Sequence, residues 1–191
     1  MSSLSEFLPA GVRFILPGGN EQILFLLAIF LASPRTGMLA SQLAAWILGH
    51  TLTLWLVGLG VLDIPGNTIA WLVPLTIVLA AAENLLVREP PKFKLGLVFA
   101  YGLIHGLSFA QVFNTLPGAG SNAGMALLGF NLGLEVAHIA VIGLAMAASL
   151  YFRGVLKQAS RMDLYRPMIV VPVSLMICVT GLVWTAGAFG T

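Results

Sequence analysis

The stretch from Met125 to Phe152 is apolar and carries no lysine or arginine, yet it holds Asn131, Glu135 and His138. A segment of this length can cross a bilayer, which needs about 20 residues. A charged carboxylate near the centre of such a span costs about 2.5–3.5 kcal/mol on insertion scales. On a helix the spacing i, i+4, i+7 puts the three polar side chains on one face. Lipid cannot satisfy that face, so it must turn toward protein or trapped water.

The rest of the chain agrees. Of its 191 residues 59% are hydrophobic and 8% are charged, against about 25% charged in a soluble domain. The mean hydropathy is +0.99. The expectation is an all-α, polytopic membrane protein, a compact bundle of six transmembrane helices forming one domain over residues 1–191. The spans are expected at about 21–32, 38–61, 68–87, 93–116, 125–152 and 168–188, with 1–20 an interfacial or re-entrant lead-in and a bend at Pro74. The nine basic residues are dispersed over loops with no aromatic-interleaved patch, so no nucleic-acid partner is expected. Cys178 is the lone cysteine and forms no internal disulfide. The N-terminal residues lack the basic, then apolar, pattern of a cleavable signal peptide. No phosphate-binding glycine loop, activated nucleophile or Cys-x-x-Cys is present, so the chain is not expected to be an enzyme.

Eight of the nine basic residues fall on one side of this arrangement: Arg35, Arg88, Lys92, Lys94, Arg153, Lys157, Arg161 and Arg166. Only Arg13 falls on the other. The positive-inside rule makes the basic side cytoplasmic. Both termini are then expected outside, in the periplasm for a bacterial inner-membrane protein. The lipid bilayer is the certain partner of such a chain. Its small size leaves association with a second copy or with other membrane subunits open.

All three histidines of the chain, His50, His105 and His138, fall within spans. His50, His105 and Glu135 are expected near the midplane, within about one helical turn of each other, with His138 a turn nearer the cytoplasm. Imidazole suits nickel, copper, zinc and iron, and Glu135-x-x-His138 places two ligand-type groups on one helix face. The polar set thus reads as a metal site, as hydrogen bonds that lock helices together, or as ligands of a haem or oxidase centre. Outside the midplane, Glu83-Asn84 ends the third span and Glu21-Gln22 opens the first. Each pair reads either as a helix-end or interfacial feature, favoured at Glu21 by the helix dipole, or as the exit or entry of a cation path. The glycine pairs Gly102-x-x-x-Gly106 and Gly129-x-x-x-Gly133 read as close helix contacts.

Several of these segments resemble the HupE/UreJ membrane proteins. Gly49-His50-Thr51-Leu52-Thr53-Leu54 is similar to that family's alanine-histidine-serine-x-threonine-leucine segment. Tyr101 to Ala110 is similar to its glycine-leucine-x-histidine-glycine-x-glycine-phenylalanine-alanine motif, Phe130 to Glu135 to its phenylalanine-asparagine-x-glycine-valine-glutamate motif, and Ala82 to Leu85 to the end of its third helix. The resemblance covers about residues 10 to 150. It implies a hydrogenase or urease accessory protein that passes nickel or a related divalent cation across the inner membrane, with His50, His105, Asn131 and Glu135 as binding or conduction residues. The chain departs from the family in its first helix, where Glu21 and Gln22 stand for aspartate and histidine and Phe14 stands for an upstream histidine. His138 replaces a frequent glutamine. Without the entry histidines, a relative serving as a fixed subunit of a larger membrane complex is the alternative.

Overall fold

In a computed structural model, which describes residues 4–33, 35–63, 66–87 and 93–189, the chain is helical, with no strand among the described residues. Among the described residues seven α-helices follow one another: α1 (Leu4–Ile15), α2 (Asn20–Leu31), α3 (Thr36–Gly58), α4 (Gly66–Leu86), α5 (Lys94–Thr115), α6 (Ala123–Gln158) and α7 (Val171–Phe189). Five helical segments are long and apolar enough to cross a membrane, and a sixth crossing forms if α1 and α2, bent by 72° at their junction, count as one span. The expected six-helix bundle thus has the right helical class and a count of five to six.

Local sequence explains the ends. Pro17, Gly18 and Gly19 interrupt the helical run between α1 and α2. Gly60, at φ 72°, follows the end of α3 in the left-handed conformation that glycine adopts without strain. The Asn122 side chain caps α6 by accepting from the Met125 amide at 3.4 Å. Helix α6 then runs for 36 residues, about 54 Å at 1.5 Å per residue. It continues past Arg153, so the first part of the expected basic loop is helix. A 3₁₀ turn (Met162–Leu164) and a π-helical turn (Arg166–Val170) lead from there into α7. Pro74 lies inside an α4 that stays helical on both sides of it.

The helices associate as three intimate pairs, α3 with α5, α1 with α6 and α4 with α7, and short α2 threads between them. Each pair closes on glycine. A Cβ on Gly102 would collide with the Trp46 carbonyl, and one on Gly106 with the His50 carbonyl and the Thr53 hydroxyl. Gly11 of α1 meets Gly133 of α6 in the same way, and Gly181 of α7 lies against Pro74 and Val78 of α4. The backbones approach until one side-chain atom would not fit between them, the geometry small residues give helix pairs in lipid. Thr53 reinforces the α3–α5 pair by donating to the Leu103 carbonyl at 2.7 Å. The residues before Asn20 therefore supply a helix whose Phe7 and Ile15 are buried.

Around α2 the core is aromatic. Phe25 lies 5.7 Å from both Trp46 and Tyr101 and 4.4 Å from His105, ring centre to ring centre. The outer faces are apolar too: Ile139 is 72% exposed and Leu144 71% exposed, as lipid-facing side chains must be. At one end of the bundle, near the C-terminus of α2, Arg35 and Arg153 line one cavity with Phe30 and Ser33, Lys94 pairs with Glu83, and Arg166 donates to the backbone carbonyl of Asn84, whose side chain reaches Ala28. Arg88 and Lys92 of the expected basic side lie outside the described residues.

Gly106→Ala is expected to lower the stability of the detergent-solubilised protein by about 1–3 kcal/mol, the usual cost of overpacking. Gly96→Ala, with no atom within 4 Å of the added methyl, is expected to be neutral or slightly stabilising. Thermal unfolding of the two variants side by side checks this.

Candidate metal site

His50 sits where α3 and α5 meet on glycine, Gly106 facing its carbonyl, so its backbone position is fixed by a close helix crossing. Its ring is fully buried and points toward α6. There Glu135 and His138, three residues apart, present their side chains on one face. The His50 Nε2–H donates to Glu135 Oε1 at 2.8 Å, and the His138 Nδ1–H donates at 3.4 Å to Oε2 of the same carboxylate. One ligand-type atom from each of the three residues lies within 4.8 Å of the others.

The protonation pattern follows from the donors. A carboxylate only accepts, so each imidazole spends its N–H on Glu135 and keeps a lone pair on its other nitrogen. His50 Nδ1 and His138 Nε2 are buried, and neither has a partner among the described residues. A cation held by all three residues would take the imidazole nitrogens that face the carboxylate, so each ring would then carry its proton on its other nitrogen. The donor set, two imidazoles and a carboxylate, fits a divalent transition metal such as nickel, cobalt or zinc.

Trp46 is the wall of the site. Its ring centre is 4.6 Å from both His50 and His138, and Phe109 closes the box 5.2 Å from His50. Glu135 and His138 also border an apolar groove of about 220 Å³ between α3 and α6, with Ile139 and Gly143 on its rim.

His105 is at similar depth but has a different partner. The Thr76 hydroxyl donates to the Val73 carbonyl at 2.7 Å and has a single proton, so the His105 Nε2–H donates to Thr76 Oγ1, at 2.9 Å. Trp46 lies between this histidine and the cluster, 6.0 Å from His105. Three of the four expected ligands meet, and the fourth is held apart by α4. Asn131 exchanges its amide with the Thr51 hydroxyl at 3.3–3.4 Å, tying α6 to α3 one turn from Glu135.

The flanking polar pairs divide. Glu21 and buried Gln22 line an open cleft of about 720 Å³ with Pro74, Ser108 and Trp184. Three residues after Gln22 on α2, Phe25 packs on Trp46, which in turn packs on His50. Glu83 is paired with Lys94 at 2.5 Å, and Asn84 donates to the Ala28 carbonyl at 2.9 Å while its own carbonyl accepts from Arg166 at 3.1 Å. The structural roles of Thr76, Trp46 and Lys94 were not read from the sequence. Trp46 could have been, since it stands four residues before His50 on the same helix face. Thr76 and Lys94 are defined by partners on other helices.

Fold and site define a polytopic, all-helical membrane protein with a His–Glu–His cluster buried in an apolar core. The chain belongs to the HupE/UreJ family: the family model described as HupE / UreJ protein matches residues 1–188. No curated protein and no solved structure matches it.

Thr76→Val removes the partner of a buried imidazole N–H and is expected to cost about 1–3 kcal/mol, the penalty for an unsatisfied buried polar group. Thermal unfolding in detergent reads this, and a Thr76→Ser variant is expected to restore most of the loss.

Proposed function

We propose that this chain is a permease for a divalent transition-metal cation, nickel-type by the donor set and the family, with His50, Glu135 and His138 as its midplane binding site. The observation that carries the reading is the buried carboxylate shared by two imidazoles, each with a free lone pair. A cation crossing lipid must exchange its hydration shell for protein ligands, and must be held weakly enough to leave. Three protein ligands with remaining positions for water meet both needs. The basic end of the bundle is cytoplasmic in this reading, and both termini are periplasmic. Glu21 and Gln22 then stand in the entry cleft, in place of the stronger aspartate and histidine that the family resemblance implies there.

Passage requires motion of the aromatic wall. Gln22 and Phe25 share α2, and Phe25 packs on Trp46 beside the cluster, so in this reading the Phe25–Trp46 contact is the entry-side barrier. At the other end the Lys94 ammonium occupies Glu83, closing the exit. Alternate opening of these two barriers around a fixed midplane site is the transport cycle that the geometry supports. His105, beside Phe25 and Trp46, serves as a relay rather than a ligand of the resting site. No catalytic step is assigned.

The second reading is a non-catalytic accessory subunit of a larger membrane complex. It is favoured by the engagement of Glu83, Asn84 and Asn131 in helix-to-helix hydrogen bonds, which serve packing equally well.

Uptake of radiolabelled nickel by proteoliposomes separates the two. The permease reading expects saturable uptake that His50→Ala and Glu135→Gln abolish. It also expects metal affinity of the purified protein to fall by more than the roughly 10–100-fold that loss of a supporting partner costs. Undetectable uptake by the wild-type protein and a metal content that those substitutions leave unchanged, alongside a fixed set of co-purifying subunits, would establish the accessory reading instead.

A further inference from the structure

The basic end of the bundle contains a second polar pocket, separate from the His–Glu–His cluster. Its volume is about 150 Å³, and its rim carries Arg35 and Arg153 with the hydroxyl residues Ser33, Thr36 and Ser149. At about 30 Å³ of liquid per water, it has room for a group the size of a few waters. No carboxylate lines it among the described residues. The acids described at this end are already engaged, Glu83 by Lys94 and Asp163 by Arg161.

Arg153 is held in place for a ligand. Its Nε–H donates to Ser149 Oγ at 3.1 Å, the Tyr165 hydroxyl shares a 2.7 Å hydrogen bond with the same Ser149, and the guanidinium lies 4.1 Å above the Tyr165 ring. These contacts fix the guanidinium plane and leave both terminal amino groups without a hydrogen-bond partner among the described residues. Across the pocket, Arg35 precedes the first turn of α3 and makes no ion pair with the described residues; that turn has no side-chain cap. Two guanidinium forks, nearby hydroxyls and an uncapped helix N-terminus converge on one space. They call for an oxyanion with several acceptor oxygens, and the fork matches phosphate.

The floor of the pocket selects among phosphates. It is built from Leu39, Met146 and Leu150, and Leu150 is 65% exposed on the lipid-facing surface of α6. A polar rim at the bundle end over an apolar wall continuous with the bilayer suits a head group with acyl chains attached. Inorganic phosphate shares the oxyanion but gains nothing from the apolar wall. We infer that this pocket binds the phosphate of an anionic phospholipid, gripped between Arg35 and Arg153 with its acyl chains along α3 and α6.

Native mass spectrometry of the full-length protein, released from mixed micelles of detergent and phosphatidylglycerol, tests this. The wild-type protein is expected to retain phosphatidylglycerol over phosphatidylcholine. Arg35→Gln is expected to lower the retained fraction about fivefold, the worth of one basic residue beside anionic lipid, and Arg35→Gln with Arg153→Gln to lower it further. Arg161→Gln removes the same charge at the same end but outside the pocket, and is expected to keep its lipid. Because Arg153 also packs on Tyr165, Arg35→Gln alone, verified as monodisperse, carries the test. Equal retention by Arg35→Gln and wild type, or equal retention of phosphatidylcholine, would overturn the proposal. Displacement of the lipid by millimolar inorganic phosphate would overturn it too, by showing a site for the free anion.

Discussion

A carboxylate in the middle of a lipid-embedded bundle must be supplied with donors by the protein, because hydrocarbon offers none. In this chain the donors are the two imidazoles that reach Glu135 from α3 and from the next turn of α6. That requirement couples the fold to the site. If α3 moves away from α6, the Glu135 carboxylate loses its strongest partner and His50 loses its only one among the described residues. The site is both a potential ligand set and a fastener.

Alongside these polar contacts, close backbone packing holds α3 in place. Gly49, Gly102 and Gly106 let α3 and α5 meet backbone to backbone around His50, and Gly11, Gly129 and Gly133 do the same for α1 and α6. The two glycine-closed pairs carry the two halves of the site, His50 on one and Glu135 with His138 on the other. Short α2 fills the space between them with Phe25, so one aromatic side chain touches Trp46, Tyr101 and His105 together. The His50–Glu135 hydrogen bond therefore depends directly on how the two pairs are seated against each other.

Much of this was legible in the sequence. Apolar runs placed five helices to within about three residues at either end, whereas α6 runs on past the expected Phe152 to Gln158 and α1 was read as a lead-in; the i, i+3 spacing of Glu135 and His138 placed both on one face. The glycine pairs on α5 and α6 marked the close crossings. Less accessible was anything set by rotation of one helix about its axis relative to another. His50 and His105 lie at similar depth, and sequence depth alone gave no reason to separate them; only the azimuth of α4, which brings Thr76 to His105, does so. The residues before Asn20 read as a lead-in because Pro9 and Pro17 interrupt them, whereas burial of Phe7 and Ile15 against α6 makes part of that segment core. The pairing of Lys94 with Glu83 likewise depends on how α4 and α5 face each other.

The central claim is that His50, Glu135 and His138 act together as one cation site. Nickel K-edge X-ray absorption on the metal-loaded, detergent-purified protein tests it most directly. The account predicts two imidazole ligands and oxygen ligands in the first shell, at metal–nitrogen distances of about 2.0–2.1 Å as in other imidazole sites, with one imidazole lost in His50→Ala or His138→Ala and none lost in His105→Ala. A first shell of oxygen alone, or an imidazole signal that survives both the His50→Ala and the His138→Ala changes, would contradict it.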